Sequence, residues 1–131
     1  YVVALLSFVA GGSISANDVV YVDSTGLVHK ASATTSPQAT AAGVAIDGGS
    51  AGSLIRVNPD AFYANFSGFV AGEVQYISLT SGELSTYETW IADLGGSSLP
   101  GAFLARVGTA ASTSGLDIEF SRPVFVSSSG L

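Results

Sequence analysis

An all-β fold is predicted for this chain: an antiparallel β-sandwich or barrel built from two related β units, with at most one short helix. Three observations predict it. First, the chain repeats itself in strand-like pieces: Ile14-Ser15-Ala16-Asn17-Asp18-Val19-Val20-Tyr21 returns as Phe69-Val70-Ala71-Gly72-Glu73-Val74-Gln75-Tyr76. Second, runs of Val, Ile, Leu and Tyr are short and bounded by Gly, Ser, Thr, Asn and Asp, as strands between tight turns are. Third, only one stretch places apolar residues at helical spacing.

The elements follow in order along a single domain, residues 1–131, with internal repeats at about 12–60 and 67–121. An N-terminal strand within 1–10 opens it. This apolar run ends at Gly11-Gly12, and at ten residues is far short of the ~20 that a membrane helix needs. Without a basic leading region, and rich in β-branched and aromatic residues, it reads as a buried strand rather than a signal peptide. Strands are then predicted at 19–22 and 27–30, joined by the Ser24-Thr25-Gly26 turn. A Ser/Thr/Ala connector at 31–41 leads to strands at 43–46 and 54–57.

The second half repeats this plan. An aromatic strand at 62–66 precedes a strand at 74–79, the turn Thr80-Ser81-Gly82 and an apolar piece at Leu84. Tyr87, Trp90, Ile91 and Leu94 lie at helical spacing before Gly95-Gly96, which predicts a short helix over 86–94 in the longer second connector. Strands at 103–107, 116–120 and 124–126 follow, then a small polar tail. Gly43-Val44-Ala45-Ile46 is matched here to Ala102-Phe103-Leu104-Ala105, and residues 52–57 to 115–120. The offset thereby grows from 55 residues (Ile14 to Phe69) to 63 (Gly52 to Gly115), with the drift in loops.

Composition narrows the function. The 131 residues are 47% hydrophobic and only 11% charged, so much surface must be hidden in a core or against partners. The net charge of −6 leaves four scattered basic residues, Lys30, Arg56, Arg106 and Arg122. Nucleic acid and acidic membranes require a clustered basic patch, so neither is expected as a partner. Cysteine is absent, which removes disulfides, thiolate nucleophiles and Cys-based metal sites.

Chemically active groups are sparse. His29 is the only histidine, with Asp23 as its nearest acid in sequence; it is expected to face outward from a strand. With a single His, a Ser-His-Asp triad would need that one residue well placed, and nothing in the sequence supports one. Asp117 with Glu119, and Glu83 with Glu88, read as solvated faces rather than catalytic pairs. Asp47-Gly48-Gly49-Ser50 lacks the spaced acids of a calcium loop and reads as a turn. No catalytic, cofactor-binding or metal-binding residue is predicted, and the chain is read as a non-enzyme. The aromatics are more informative: Phe62, Tyr63, Phe66 and Phe69 crowd one segment with both parities, joined by Tyr76, Tyr87 and Trp90. A sheet with one wet face exposes some of them, which points to a protein interface.

The succession Ala16 to Ala31, then Ala42-Gly43-Val44-Ala45-Ile46 and Ala51-Gly52-Ser53-Leu54-Ile55-Arg56-Val57, resembles modules of tailed-bacteriophage virion proteins. It is similar to small capsid decoration (cement) proteins, and to repeats in phage tail fibres and spikes. The second copy, Ala71 to Leu84 and then Phe103 to Val107, extends the resemblance over most of residues 12–121. It departs from the pattern in its long Trp90-containing loop and in Phe103-Leu104-Ala105 at the Gly-Val-Ala step.

The resemblance implies a structural protein of the outer capsid surface that binds the major capsid protein without a cofactor and assembles as a homo-oligomer, a trimer foremost. Under it the interface is expected at Tyr1, Leu5, Phe8, Phe62, Tyr63, Phe66, Phe69, Tyr87 and Trp90. The alternative is a tail-fibre or spike module binding a host receptor or glycan, with Tyr87 and Trp90 stacking on sugar. A hydrolase, and a pilus-like subunit that donates its N-terminal strand, rank below these.

Overall fold

Alternation in residues 54–57 carries directly into space: Ile55 and Val57 are buried, while Leu54 and Arg56 face outward. The same period of two shapes most of the chain. The computed structural model describes residues 5–130 and is all-β apart from one helix and a terminal 3₁₀ turn, Ser128–Gly130. Its first strands are β1 (Leu6–Val9), β2 (Val19–Val22), β3 (Val28–Lys30), β4 (Gly43–Ala45) and β5 (Leu54–Asn58). Then come β6 (Phe62–Ala64), β7 (Val74–Ile77), β8 (Leu84–Ser85), helix α1 (Tyr87–Gly95), β9 (Gly101–Leu104), β10 (Arg106–Ala110), β11 (Gly115–Ile118) and β12 (Val124–Ser127). They form two five-stranded antiparallel sheets and a two-stranded ribbon of β9 with β12.

Both five-stranded sheets have one plan. The first is ordered β1-β5-β4-β2-β3 and the second β6-β11-β10-β7-β8, so the strands correspond one to one. The repeat seen in sequence is therefore a repeat of topology. Register makes the correspondence residue-specific. Val20 pairs with Gly43 and Gln75 with Gly108, so Gly43-Val44-Ala45 is matched by Gly108-Thr109-Ala110. The sequence match to residues 102–105 is corrected on this point. Residues 101–104 form β9, which leaves the second sheet and pairs with β12 instead.

A second correction concerns the next strand. Val57 lies opposite Ala45 and Leu116 opposite Ala110, which aligns Val57 with Leu116 rather than Phe120. The β4–β5 connection is simply longer than the β10–β11 hairpin. Sheet order also adds one edge strand to each unit. Leu6 pairs with Val57 as Tyr63 pairs with Leu116, so the N-terminal strand and the aromatic strand are counterparts.

Packing follows from strands buried on both faces. On β2, Val19 points into a cluster shared by the two units, with Val44, Ile77, Val107, Leu116 and Ile118. Its neighbour Val20 points the other way, into a cluster internal to the first sheet with Val28, Ala45, Ile55 and Val57. Around that cluster the sheet curls toward closure: Ala10 bridges Val28, and Gly11 N donates to Val28 O at 2.8 Å. A third cluster lies beneath α1 and holds Trp90, Leu94, Ala33 and Ala102.

The predicted helix is present. Thr86 caps its start by accepting from Thr89 N, Glu88 sits in the first turn where the helix dipole favours an acid, and Gly96 caps its end. Among the described residues no helix is long and apolar enough to cross a membrane.

Candidate contact surface

The pairing of β1 with β5 builds an apolar face at one edge of the first sheet. Val9 stands opposite Leu54 and Ser7 opposite Arg56, and directly opposed residues share a face. Leu54 is 65% exposed, Val9 43%, and Leu5, just before the strand, 37%. In their midst Arg56 is neutralised. Its Nε and Nη2 donate to Asp47 Oδ2 and Oδ1, each at 2.8 Å, and its backbone N donates to Oδ2 at 3.1 Å. The Arg56 side chain lowers the Asp47 carboxyl from the ordinary 3.8 to about 2. Both Asp47 oxygens are thereby engaged by Arg56, and Gly49 just beyond pairs with Ile14 through both of its backbone groups.

On the equivalent edge of the second sheet stands Phe62, 50% exposed. Gly115 makes room for it: a Cβ there would come within 2.6 Å of the Phe62 ring. The ring is laid across the backbone of β11, so its exposed face is fixed before any partner arrives. Preorganisation of this kind lowers the ordering cost of binding.

The remaining expected residues divide sharply. Tyr1 lies outside the described residues. Phe8 is half-buried against the inner cluster of the first sheet. Tyr63, Phe66 and Phe69 are half-buried against the shared core, with ring centroids 5.6 Å apart for Tyr63–Phe66 and 5.0 Å for Phe66–Phe69. They close one side of that core rather than stand free. Tyr87, on the first turn of α1, is 49% exposed.

Trp90 requires a correction: it is fully buried beneath α1 and offers nothing to a partner. The helical spacing of Trp90 and Leu94 that predicts the helix also turns both toward the core.

No protein-family model matches the chain, and no curated protein is significantly similar to it. The geometry of its side chains is therefore the basis for reading a function.

The single histidine and its nearest acid are engaged in a structural role. His29 Nε2 and Asp23 Oδ2 are 2.6 Å apart, so the structure joins the two residues that stood nearest in sequence. Asp23 Oδ1 accepts from Thr25 Oγ1, Thr25 N and Leu27 N at 2.6, 2.8 and 3.1 Å. The Thr25 hydroxyl first, and then His29, hold the Asp23 carboxyl well below the usual carboxylate range. The result is a pinned β2–β3 turn, with His29 stacked on Tyr21 at 5.6 Å. Among the described residues no group of three His, Asp or Glu side chains is placed to hold a metal. Glu119 is bound by Arg106 at 3.4 Å, while Asp117 lies opposite Phe62, so that acidic pair has two separate environments.

Sequence reasoning missed Val9, Leu54, Val124 and Phe125, all exposed. A signal for Leu54 was present, since it shares strand parity with Arg56 and opposes that of Ile55 and Val57. For β12 there was none: Val124-Phe125-Val126 reads as core until its single partner strand is known.

Proposed function

We propose that the chain is a structural virion protein, a decoration (cement) protein that binds the assembled head of a tailed bacteriophage and stabilises it. One observation carries this reading. The two topologically equivalent edges both present apolar residues to solvent: Val9 of β1, with Leu5 before it and Leu54 opposite it on β5, and Phe62 of β6. Burying each such side chain in a partner surface contributes up to ~1.5–3 kcal/mol.

Two patches on one rigid body suit a lattice better than a single subunit, because both are satisfied only where neighbouring capsid subunits are held at fixed spacing. Binding to the lattice and not to free subunits shifts the assembly equilibrium toward the intact shell. Trimerisation would multiply these contacts into avidity.

The tail-fibre reading rests on Tyr87 and Trp90 as a sugar platform. With Trp90 buried, one of its two rings is lost. Co-sedimentation tests the proposal. Purified chain mixed with mature heads, tails and host envelopes is expected to pellet with heads alone. The double variant Leu54→Ser/Phe62→Ser is expected to stay in the supernatant. Pelleting with tails or envelopes, or full head binding by the double variant, would overturn the proposal.

A further inference from the structure

Between the start of β7 and the start of α1 lies an open cleft of about 270 Å³, lined by Glu73, Val74, Tyr76, Thr86, Tyr87 and Glu88. Its walls are of two kinds. Tyr76 and Tyr87 meet edge to face, with centroids 6.2 Å apart and planes at 60°, forming an aromatic corner. Glu73 and Glu88 supply carboxylates beside it. Neither makes an ion pair among the described residues: Lys30, Arg56 and Arg106 are bound to Asp18, Asp47 and Glu119, and Arg122 reaches no carboxylate.

The polar groups of this cleft decide what it takes. Ionised carboxylates only accept hydrogen bonds. The Thr86 hydroxyl is occupied as the helix cap, accepting from Thr89 N and lying 3.2 Å from Thr89 Oγ1. The Tyr76 and Tyr87 hydroxyls can donate as well as accept, so what separates a cationic guest from a neutral one such as a sugar is the pair of carboxylates, Glu73 and Glu88. A group that only donates, carries positive charge and lies well on a π-face fits both walls at once. Guanidinium meets all three conditions, and ammonium meets them less fully because it is compact and strongly hydrated.

We propose that this cleft receives an arginine or lysine side chain of a partner polypeptide, with arginine preferred. Resting on the reading of the chain as a contact protein, this adds a polar element to its apolar patches. The chain has ten acidic residues against four basic ones, so its net charge of −6 draws a basic partner surface toward it.

The test is a titration of the isotope-labelled full chain, followed through the backbone amides of residues 73–76 and 86–88. The probes are acetyl-Gly-Arg-Gly-amide, its Lys and Gln analogues, and methyl glucoside. The Arg and Lys peptides are expected to shift these amides saturably, with Arg tighter and both weakened by salt. The E73Q/E88Q double variant, checked for an unchanged melting temperature, is expected to bind the Arg peptide ~10-fold more weakly. Equal shifts with the Gln peptide, saturation by methyl glucoside, or no shift with any probe would overturn the proposal. Because free peptides are used, failure here is distinguishable from failure of the chain to bind phage heads.

Discussion

Gly43 and Gly108 occupy the same place in the two sheets, each pressed against the backbone of the neighbouring strand. A Cβ on Gly43 would come within 2.5 Å of Asn58 O, and one on Gly108 would collide with Asp117 O. Neither has a positive φ, so close approach rather than turn geometry excludes a side chain. Gly43→Ala and Gly108→Ala are each expected to cost ~1–3 kcal/mol in urea denaturation, through forced separation of β4 from β5 and of β10 from β11. Gly26→Ala is the control: it sits at φ 87° in a turn with open space around it. It should cost only ~1 kcal/mol, from backbone strain alone.

These glycines also show where the sequence was readable. Strand-and-turn punctuation is local chemistry, so the fold class, the Gly26 and Gly82 turns and the short helix before Gly95-Gly96 were all visible. The pairing of Gly43 with Gly108 was hidden, because apolar likeness drew residues 43–46 to the similar run at 102–105. What the two glycines share is backbone proximity across a strand, which one-dimensional patterning does not report. The kinship of β1 and β6 was hidden for a related reason. Leu6 and Tyr63 share only a place opposite Val57 and Leu116, not a residue type. The candidate surface was half legible. Aromatic crowding pointed to Phe62, which is exposed, but could not separate it from Tyr63, Phe66 and Phe69, whose rings pack against the shared core.

Trp90 tests the packing beneath α1. Its ring is fully buried, and its Nε1 has no hydrogen-bond partner among the described residues. Trp90→Ala is expected to cost ~3–5 kcal/mol by leaving a large cavity. Trp90→Phe keeps much of the volume and removes an unsatisfied donor, so a cost of ~1–2 kcal/mol is expected in the same denaturation experiment. Under the proposed head binding, the Phe variant should bind as the parent does, because the native ring never reaches the surface.

Acid should weaken the fold through Asp47. Its carboxyl is lowered from 3.8 to about 2 by Arg56, so the unfolded chain takes up the proton first as the pH falls. The contribution is fully present above 3.8 and is lost as the pH drops through about 2. Asp23 acts in the same direction at still lower pH, held down chiefly by Thr25. Melting temperatures measured from neutral pH downward should therefore be level at first and fall through this acid window. Asp47→Asn should melt lower at neutral pH and show a shallower acid fall. An unchanged acid fall in Asp47→Asn would remove the ion pair as its cause.

Surface and core roles can be separated by two substitutions of neighbouring aromatics. Phe62 lies exposed across Gly115, whereas Phe66 packs between Tyr63 and Phe69 on the shared core. Phe66→Ala removes buried apolar area and should cost ~2–4 kcal/mol, visible as a lower urea midpoint. Phe62→Lys adds charge where half of the ring already meets water and gives up only its packing on Gly115, so its cost should be ~1 kcal/mol, well below that of Phe66→Ala. In head co-sedimentation the order should reverse. Under the proposed head binding, Phe62→Lys would bind at least ~10-fold more weakly by placing a hydrated charge where an apolar ring meets the partner, while Phe66→Ala, assayed well below its melting temperature, would bind nearly as the parent does. Stability and binding responding to different members of one aromatic segment would show that the edge of β6 is an interface laid over a core. If Phe62→Lys lowered the midpoint as far as Phe66→Ala and left binding intact, Phe62 would belong to the core with its neighbours.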